Sequence, residues 1–159
     1  MDSRTESLPS EVNRAKTVVI VGASGYIGRH LIAELRRLGG YRIKLLSRSL
    51  GQDLSGAGSA VEVFKGDLRA PETLRGLFES DCTVINLAYL WEAGEAANLE
   101  VTANLLEACK SAKIKRLIHC STAAVVGRTS VNRITEDTVC RPATEYGITK
   151  LKVEQAIIK

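Results

Sequence analysis

A glycine-rich segment between a short apolar run and an amphipathic stretch restricts the fold of this chain more than any other feature. The run Thr17–Val21 leads directly into Gly22-Ala23-Ser24-Gly25-Tyr26-Ile27-Gly28, and apolar residues then recur at helical spacing. Glycine allows a tight turn and a close approach of the backbone to a bound group. The N–H groups and the positive dipole end of the following helix suit a phosphate. This order predicts a nucleotide site formed by Gly22, Ser24, Gly25, Tyr26, Ile27 and Gly28.

The rest of the chain continues this alternation of strand and helix. Five short β-branched runs are predicted as strands: Thr17–Val21, Arg42–Ser47, Val61–Lys65, Thr83–Leu87 and Arg116–Cys120. Strands that alternate with amphipathic stretches predict an α/β fold with a parallel sheet, and the apolar runs predict helices on both of its faces. The Gly/Ser-rich stretch from Leu50 to Ala60 is predicted to be a surface loop.

Four helices are predicted from apolar spacing and from helix start and stop signals. The first follows the glycines, points Ile27, Leu31, Leu35 and Leu38 inward and ends at Gly39-Gly40. A short one begins at Pro71 and buries Leu74, Leu77 and Phe78. A third is marked by Ala97, Val101, Leu105 and Ala108, and a last one runs from about Thr144 with Ile148, Leu151 and Ile158 as its buried edge.

The residues that follow the second strand bear on the choice between NADP and NAD. In dinucleotide-binding folds, an acidic residue about 20 positions beyond the glycines accepts the ribose hydroxyl of NAD, whereas arginine accommodates the extra phosphate of NADP. That place holds Ser47-Arg48-Ser49, and no carboxylate occurs before Asp53. Guanidinium and hydroxyl donors favour NADP. The alternative is that Arg48 is a solvated strand-end residue, and that Asp53 or a backbone group recognises NAD.

The third predicted strand ends in Gly66-Asp67-Leu68, at the carboxyl edge of the sheet. Open α/β sheets bind ligands at this edge, so Asp67 could accept a hydrogen bond from an adenine amino group. An aspartate in this place also caps the next turn or helix. Both interpretations of Asp67 stay open.

A tyrosine and a lysine near the end of the chain carry the spacing expected of proton-transfer chemistry. Tyr146 and Lys150 are four residues apart, which on a helix places the phenol and the ammonium on one face. A fixed positive charge favours the phenolate and lowers the pKa of the phenol toward neutrality. Such a phenol can exchange a proton with a substrate oxygen while hydride moves to or from a nicotinamide. Thr122, which follows the fifth strand, would hold that oxygen.

Six segments in this order resemble the extended short-chain dehydrogenases/reductases, also called NAD-dependent epimerases/dehydratases. They are VGASGYIG at 21–28, GDL at 66–68, INLA at 85–88, NLEVTANLLEA at 98–108, STAAVVG at 121–127 and YGITK at 146–150. The resemblance covers Thr17 to about Ile157. It implies a Rossmann-type three-layer α/β/α domain, residues 17–159, whose parallel sheet of about five strands has the order 3-2-1-4-5.

The resemblance also implies roles for individual residues. Thr122, Tyr146 and Lys150 fall on the family's catalytic positions, and Tyr146 and Lys150 also contact the cofactor. The remaining cofactor contacts would come from Asp67, Leu68, Asn86, Leu87 and Ala88, with Asn98 facing the active site from its helix. The expected enzyme is an NAD(P)-dependent oxidoreductase or epimerase/dehydratase that acts on a sugar nucleotide or on a small ketone or alcohol. It could form a homodimer through the helices that begin near Ala93 and Thr144.

This chain departs from the family pattern in two residues and in its length. Val126 replaces a usual Tyr, and Val101 replaces a usual Gly. Family members continue into further strands and a substrate-binding lobe, whereas this chain stops at Lys159. The expected molecule is therefore a truncated, cofactor-binding portion whose turnover is uncertain and whose uncovered fifth strand favours association. The alternative is a non-catalytic NAD(P)-binding sensor or assembly module.

Composition excludes several other classes of protein. The net charge of +4 comes from scattered basic residues without interleaved aromatic ones, so no nucleic-acid partner is expected. The cysteines lack the spacing of a metal site, and Cys82 and Cys120 are expected to be buried free thiols. No segment is apolar enough for a membrane span or a signal peptide, so a cytoplasmic protein is expected. Residues 1–16 are expected to form a disordered leader.

Overall fold

A central parallel sheet organises the part of the chain that the computed structural model describes, residues 15–49 and 60–158. The elements follow one another as β1 (Lys16–Val21), α1 (Tyr26–Leu38), β2 (Tyr41–Ser47), β3 (Val61–Lys65), β4 (Thr83–Asn86), α2 (Gly94–Ser111), β5 (Arg116–His119) and α3 (Glu145–Ile158). Short 3-10 turns occur at Pro71–Leu74 and Ala123–Val125. The strand order is β3-β2-β1-β4-β5, which confirms the predicted fold and topology.

Alternation along β1 divides the core into two layers. Val18 and Ile20 face the layer that contains Ile32 of α1, whereas Val19 and Val21 face the layer that contains α2. Because β1 is central and both of its faces are covered, its last four residues are all buried, as a near-continuous apolar strand of a parallel sheet requires.

The prediction that every strand is covered on both faces is wrong for the two edge strands. Alternate residues of β5 are exposed, among them Ile118, and no residue of β3 is fully buried. Each edge strand pairs with a single neighbour among the described residues, β3 with β2 and β5 with β4. The helices described here cover the centre of the sheet more completely than its edges.

Two helices bury only part of the apolar edge that their spacing predicts. In α1 the buried residues are Gly28 and Ile32, and Leu31 and Leu35 pack against the core as predicted, while Ile27 and Leu38 are each 56% exposed. In α3 the buried residues include Thr149, Lys150 and Val153, while Ile158 is 84% exposed. Apolar residues lie on more than one side of α3, so their spacing alone does not determine which side packs.

The remaining helix predictions differ in their outcome. Val101 and Leu105 of α2 are buried as predicted. Leu74, Leu77 and Phe78 are also buried, but the segment that begins at Pro71 forms a single 3-10 turn rather than an α-helix.

Two further expectations concern the cysteines and the N-terminal region. All four cysteines are free thiols, Cys82 and Cys109 are buried, and Cys120 is exposed, so the expected burial of Cys120 is wrong. Strand β1 begins at Lys16, and residues 1–14 of the expected leader lie outside the described part of the chain, as do residues 50–59 of the expected loop. No helix among the described residues has both the length and the apolar character needed to cross a membrane.

Candidate functional site

The strand register brings the carboxyl ends of three strands into one row. Val21 of β1 pairs with Asn86 of β4, and Asn86 pairs with His119 of β5. The segments that follow these strands therefore emerge side by side at one edge of the sheet. In open α/β folds this edge holds the ligand.

The turn after β1 has no room for side chains at two of its glycines. Gly22 has a positive φ of 85°, and a Cβ added there would lie 2.8 Å from the backbone nitrogen of Ala88. A Cβ on Gly28 would lie 2.5 Å from the carbonyl oxygen of Ala23, inside any normal contact distance. Both glycines are therefore required sterically, because the turn packs directly against α1 and against the end of β4.

The first turn of α1 is chemically suited to an anion. Its N-cap is Gly25, no side chain caps the helix, and no acidic residue lies in the first turn. Ser24, Tyr26 and Ile27 are exposed around it. Backbone N–H groups at such an N-terminus and the helix dipole attract a phosphate, so these residues fit the pyrophosphate of a dinucleotide.

The second strand ends beside this turn with the residues predicted to recognise a ribose or its phosphate. Arg48 and Ser49 are exposed, and the hydroxyl of Ser47 donates to the carbonyl oxygen of Ser49 over 2.6 Å. The alternative residue, Asp53, lies outside the described residues. Arg48 thus follows β2, the strand that pairs with β1, with its side chain available to solvent.

Asp67 has the turn-capping role that the sequence left open. Its Oδ1 accepts from the backbone N–H of Arg69 over 2.9 Å, and its own N–H donates to Oγ1 of Thr73 over 2.9 Å. Leu68 is buried in the core.

The segment after β4 is held against the glycine turn and against α2. The N–H of Leu87 donates to the carbonyl of Val21 over 2.8 Å, and that of Ala88 donates to Oδ1 of Asn86 over 3.1 Å. Asn98 of α2 uses both ends of its amide, because Oδ1 accepts from the N–H of Leu90 and Nδ2 donates to the carbonyl of Leu90. Asn98 therefore fixes this segment through its side chain.

The proposed proton-transfer residues come from two segments in contact. Thr122 accepts from the N–H of Ala124 over 3.2 Å and begins the 3-10 turn on which α3 packs. Gly147 permits this close approach, since a Cβ there would lie 2.6 Å from the carbonyl oxygen of Ala124. Tyr146 is partly buried next to Gly147, and Lys150 is buried one helical turn later.

Lys150 is held by residues at the carboxyl end of β5, and through them it is linked to the end of β4. Its Nζ donates to the carbonyl of Cys120 over 2.7 Å and lies 3.0 Å from Nε2 of His119. Nδ1 of His119 in turn lies 3.2 Å from Nδ2 of Asn86. Burial lowers the pKa of Lys150, and burial is also the largest cause that lowers the pKa of His119 to about 4. The imidazole is therefore uncharged at neutral pH.

A small cavity lies beside this group. Its volume is about 10 Å³, enough for roughly one water molecule, and its wall includes Asn86, Asn98, His119 and Lys150. Sequence reasoning did not select His119. The available signal was a titratable residue at the carboxyl end of a short strand, next to the selected Thr122.

Three aromatic rings form a cluster around the phenol of Tyr146. Trp91 stacks on Tyr146 with ring centroids 5.0 Å apart, and Tyr89 meets Tyr146 edge to face at 4.9 Å. Trp91 is 73% exposed and is the only tryptophan of the chain. Sequence reasoning also missed Tyr89 and Trp91, because their contact with Tyr146 joins residues far apart in the chain.

Comparisons with known proteins identify the family of this chain. The model of the NAD dependent epimerase/dehydratase family matches residues 18–159. A UDP-glucose 4-epimerase of Yersinia pestis is 33% identical over 159 residues, which cover 88% of this chain and 47% of that protein. The sterol-4-alpha-carboxylate 3-dehydrogenase, decarboxylating, of Bos taurus is 27% identical and covers 95% of this chain and 44% of its own length.

A solved structure shows the same similarity in three dimensions. The UDP-glucuronic acid 4-epimerase of Bacillus cereus, crystallised in complex with NAD, superposes with a TM-score of 0.71 at 28% identity. The match covers 89% of this chain and 51% of that one. The chain thus spans about half the length of the relatives that it matches.

Proposed function

Since this chain belongs to the NAD-dependent epimerase/dehydratase family, we propose that it supplies the cofactor-binding and proton-transfer half of an NAD(P)-dependent enzyme. The observation that carries the proposal is a convergence at one sheet edge. The glycine turn after β1, the segment after β4 and the Lys150 contacts after β5 all lie there. Residues 17–159 would form this cofactor-binding domain.

Each part of the edge has a proposed task in holding the dinucleotide. The glycine turn and the first turn of α1 would bind the pyrophosphate through backbone N–H groups. Asp67 and Leu68 would lie at the adenine, whereas Asn86, Leu87 and Ala88 would lie at the nicotinamide ribose with Lys150. When bound, the nicotinamide supplies hydride acceptance and donation.

The residues of this chain would manage the proton that accompanies hydride transfer. When a substrate alcohol is oxidised, its hydroxyl proton would pass to the phenolate oxygen of Tyr146, a bound nicotinamide would take up the hydride, and the C–O bond would become a carbonyl. Thr122 would donate a hydrogen bond to the substrate oxygen. In its ammonium form, Lys150 favours the phenolate of Tyr146 electrostatically.

Within this class we propose that NADP is preferred over NAD. Arg48 and the hydroxyls of Ser47 and Ser49 offer donors to a ribose phosphate, and no carboxylate of the described residues follows β2 directly. The NAD complex of the Bacillus cereus epimerase supports the wider class of nicotinamide dinucleotides. NAD remains the alternative cofactor.

Titration of the 159-residue chain with NADPH and with NADH at fixed salt tests this preference. We expect NADPH to bind at least about tenfold more tightly, a difference of roughly 1.4 kcal/mol. Arg48→Glu should remove the preference, while Arg36→Glu, at the far end of α1, should retain it. Equal or tighter binding of NADH by the unmodified chain would show that Arg48 has no such role, and failure of both cofactors to bind would contradict the proposed function itself.

The names of the relatives suggest the class of substrate that we propose for this chain. Sugar nucleotides are the first candidates because the names of two of the three relatives denote epimerases of UDP-sugars, and the sterol dehydrogenase adds cyclic alcohols as a second class. The test of catalysis is Tyr146→Phe, with turnover of UDP-sugars and binding of NADPH and NADH measured for both forms. An enzyme should lose nearly all turnover and retain cofactor binding.

The second candidate function is a non-catalytic dinucleotide sensor or assembly module. The chain spans about half the length of the relatives that it matches. A sensor would keep its biological function in the Tyr146→Phe variant, which separates the two hypotheses. A homodimer through α2 and α3 and a cytoplasmic location remain predictions.

A further inference from the structure

A continuous series of hydrogen bonds joins the segment after β4 to Lys150. It begins at the N–H of Ala88, which donates to Oδ1 of Asn86 over 3.1 Å. It continues from Nδ2 of Asn86 to Nδ1 of His119 over 3.2 Å, and from Nε2 of His119 to Nζ of Lys150 over 3.0 Å. It ends at the carbonyl oxygen of Cys120, 2.7 Å from Nζ.

The first donor in this series determines the direction of all the others. Because the N–H of Ala88 can only donate, it holds the oxygen of the Asn86 amide and turns the NH₂ group toward His119. Nδ1 of His119 must then accept. A neutral imidazole carries one hydrogen, so that hydrogen lies on Nε2 and points at Lys150.

An ammonium group at Lys150 would conflict with this arrangement. An ammonium has three N–H donors and no lone pair, so it would meet the Nε2–H of His119 as donor against donor. An uncharged amine accepts from Nε2–H and still donates to the carbonyl of Cys120. All four hydrogen bonds are satisfied together only when Lys150 is uncharged.

The other groups around Lys150 provide little to offset the loss of hydration. Lys150 is 3% exposed, and none of the salt bridges within the described residues includes it. A thiolate at Cys120 and the carboxylate of Glu154 favour its charged form, but burial outweighs both and lowers the pKa of Lys150. The ring of Tyr89, with its centroid 6.0 Å from Nζ, lies at the outer limit for a cation–π contact.

We propose that Asn86 and His119 are positioning residues that together hold Lys150 as an uncharged amine in the cofactor-free chain. The proposal rests on the function proposed above, in which the ammonium form of Lys150 assists Tyr146. The consequence is a resting state in which that assistance is withheld. A change at Ala88 or Asn86, next to the glycine turn, would free the imidazole to accept from the ammonium.

Chemical shifts of the imidazole nitrogens, measured by NMR on the cofactor-free 159-residue chain, show directly which nitrogen of His119 carries the hydrogen. The chain has two histidines, and His30→Gln assigns the signals of His119. We expect the hydrogen of neutral His119 on Nε2. A hydrogen on Nδ1 would overturn the proposal, and this measurement requires no change to the network itself.

A titration of Lys150 by NMR tests whether this hydrogen on Nε2 keeps the lysine uncharged. Asn86→Ala removes the donor that faces Nδ1, so the imidazole hydrogen should move to Nδ1 and the pKa of Lys150 should rise by about one unit or more, a tenfold change in its ionisation constant. Thr102→Val is the matched control, because Thr102 lines the same cavity and its hydroxyl donates to Asn98. Thr102→Val should change neither the position of the imidazole hydrogen of His119 nor the pKa of Lys150.

His119→Phe separates this proposal from a simple acceptor role for His119. If Nε2 merely accepted from an ammonium, its removal would lower the pKa of Lys150. We expect the pKa to stay the same or rise in that variant, and a fall would reject the proposal.

The quenching of Trp91 emission by NADPH or NADH, recorded on the same samples, separates failure of this inference from failure of the proposed function. If His119 carries its hydrogen on Nε2 but neither cofactor binds, the proposed function is rejected and the inference about Lys150 stands. If a cofactor binds but His119 carries its hydrogen on Nδ1, the inference is rejected and the proposed function stands.

Discussion

Gly28 shows at the scale of one residue why the turn after β1 tolerates no added atom. Its missing Cβ would lie 2.5 Å from the carbonyl oxygen of Ala23, and that oxygen belongs to a backbone fixed between β1 and α1. Gly25, in the same turn, has a φ of −70° and would place a Cβ 3.4 Å from the carbonyl of Gly22. The two glycines therefore differ in steric demand although they belong to one motif.

We predict that Gly28→Ala lowers the free energy of unfolding by about 1–3 kcal/mol, the usual cost of overpacking a close contact. Gly25→Ala, the matched control, should change it by less than about 1 kcal/mol, because its new methyl group meets an ordinary contact. Urea unfolding followed by circular dichroism measures both. Equal losses in the two variants would show that the contact at Ala23 relaxes.

The cysteines provide a second test at this scale. Burial raises the pKa of the Cys82 thiol, and burial together with the charge of Cys82 raises that of Cys109 to about 12. At about pH 8, just below the usual thiol pKa of about 8.5, neither forms appreciable thiolate, which is the reactive species. Cys120 is exposed and Cys140 is partly buried.

Alkylation at this pH should therefore modify Cys120 first and leave Cys82 and Cys109 unmodified until the protein unfolds. Mass spectrometry of the intact chain over time gives the number of modified thiols. Cys120→Ser should remove the fastest phase. Modification of all four thiols at one rate in the folded protein would contradict the burial of Cys82 and Cys109.

At the scale of the elements, β2 carries a lysine into the core layer that faces away from α1. Lys44 is 3% exposed, and its Nζ lies 2.7 Å from Oε1 of Glu79 and 3.5 Å from the carbonyl of Leu77. The hydrogen bond from Lys44 is the largest cause that lowers the pKa of Glu79. This pair joins β2 to the segment that leads into β4.

We predict that Glu79→Gln destabilises the protein by about 2 kcal/mol, because the buried ammonium of Lys44 loses its charged acceptor. Glu62→Gln is the matched control, since Glu62 pairs with Arg42 where both side chains are about half exposed, and it should cost less than about 1 kcal/mol. Thermal unfolding of the two variants measures the difference. Indistinguishable midpoints would show that water or Leu77 satisfies Lys44.

The same pair sets a pH dependence of known sign. The pKa of Glu79 is lowered in the folded state, so its contribution to stability is present above the unfolded value of about 4.5 and is lost as the pH falls through the lower, folded value. Glu79→Gln should therefore lose less stability than the unmodified chain when the pH is lowered through this range.

At the scale of the whole molecule, β5 leaves one edge of the sheet without a partner strand among the described residues. It pairs only with β4, and Ile118 in its middle is 44% exposed. Unpaired backbone groups with an apolar side chain favour association between copies. The opposite edge strand, β3, carries Glu62 and Lys65.

We predict that the 159-residue chain associates reversibly as its concentration rises, and that Ile118→Lys reduces this association. Val139→Lys is the matched control, because Val139 is 66% exposed and lies outside the sheet. Sedimentation velocity over a concentration series measures the effect. If Ile118→Lys associates with the same concentration dependence as the unmodified chain, the contact lies elsewhere on the molecule.

Local patterns allowed a large part of this molecule to be predicted. The glycine turn, the alternation of strands and helices and the Tyr146–Lys150 spacing lie within short stretches of sequence, and resemblance to the family supplied the strand order. The chemistry of a residue and its neighbours one turn away is enough to recognise such features. The position of Gly28 is also set locally, since its Cβ would meet Ala23 in the same turn, whereas a Cβ on Gly22 would meet Ala88 after β4.

Tertiary structure decided the features that depend on residues far apart in the chain. His119 meets Asn86 and Lys150, which are 33 and 31 positions away, through strand register and helix packing. The buried sides of α1 and α3 were likewise set by what the sheet offers, because helical spacing identifies residues that share a side and not the side that packs. Sequence by itself therefore determined which chemical groups stand at the edge of the sheet, whereas the fold determined which of them touch, since contact requires a common position in space.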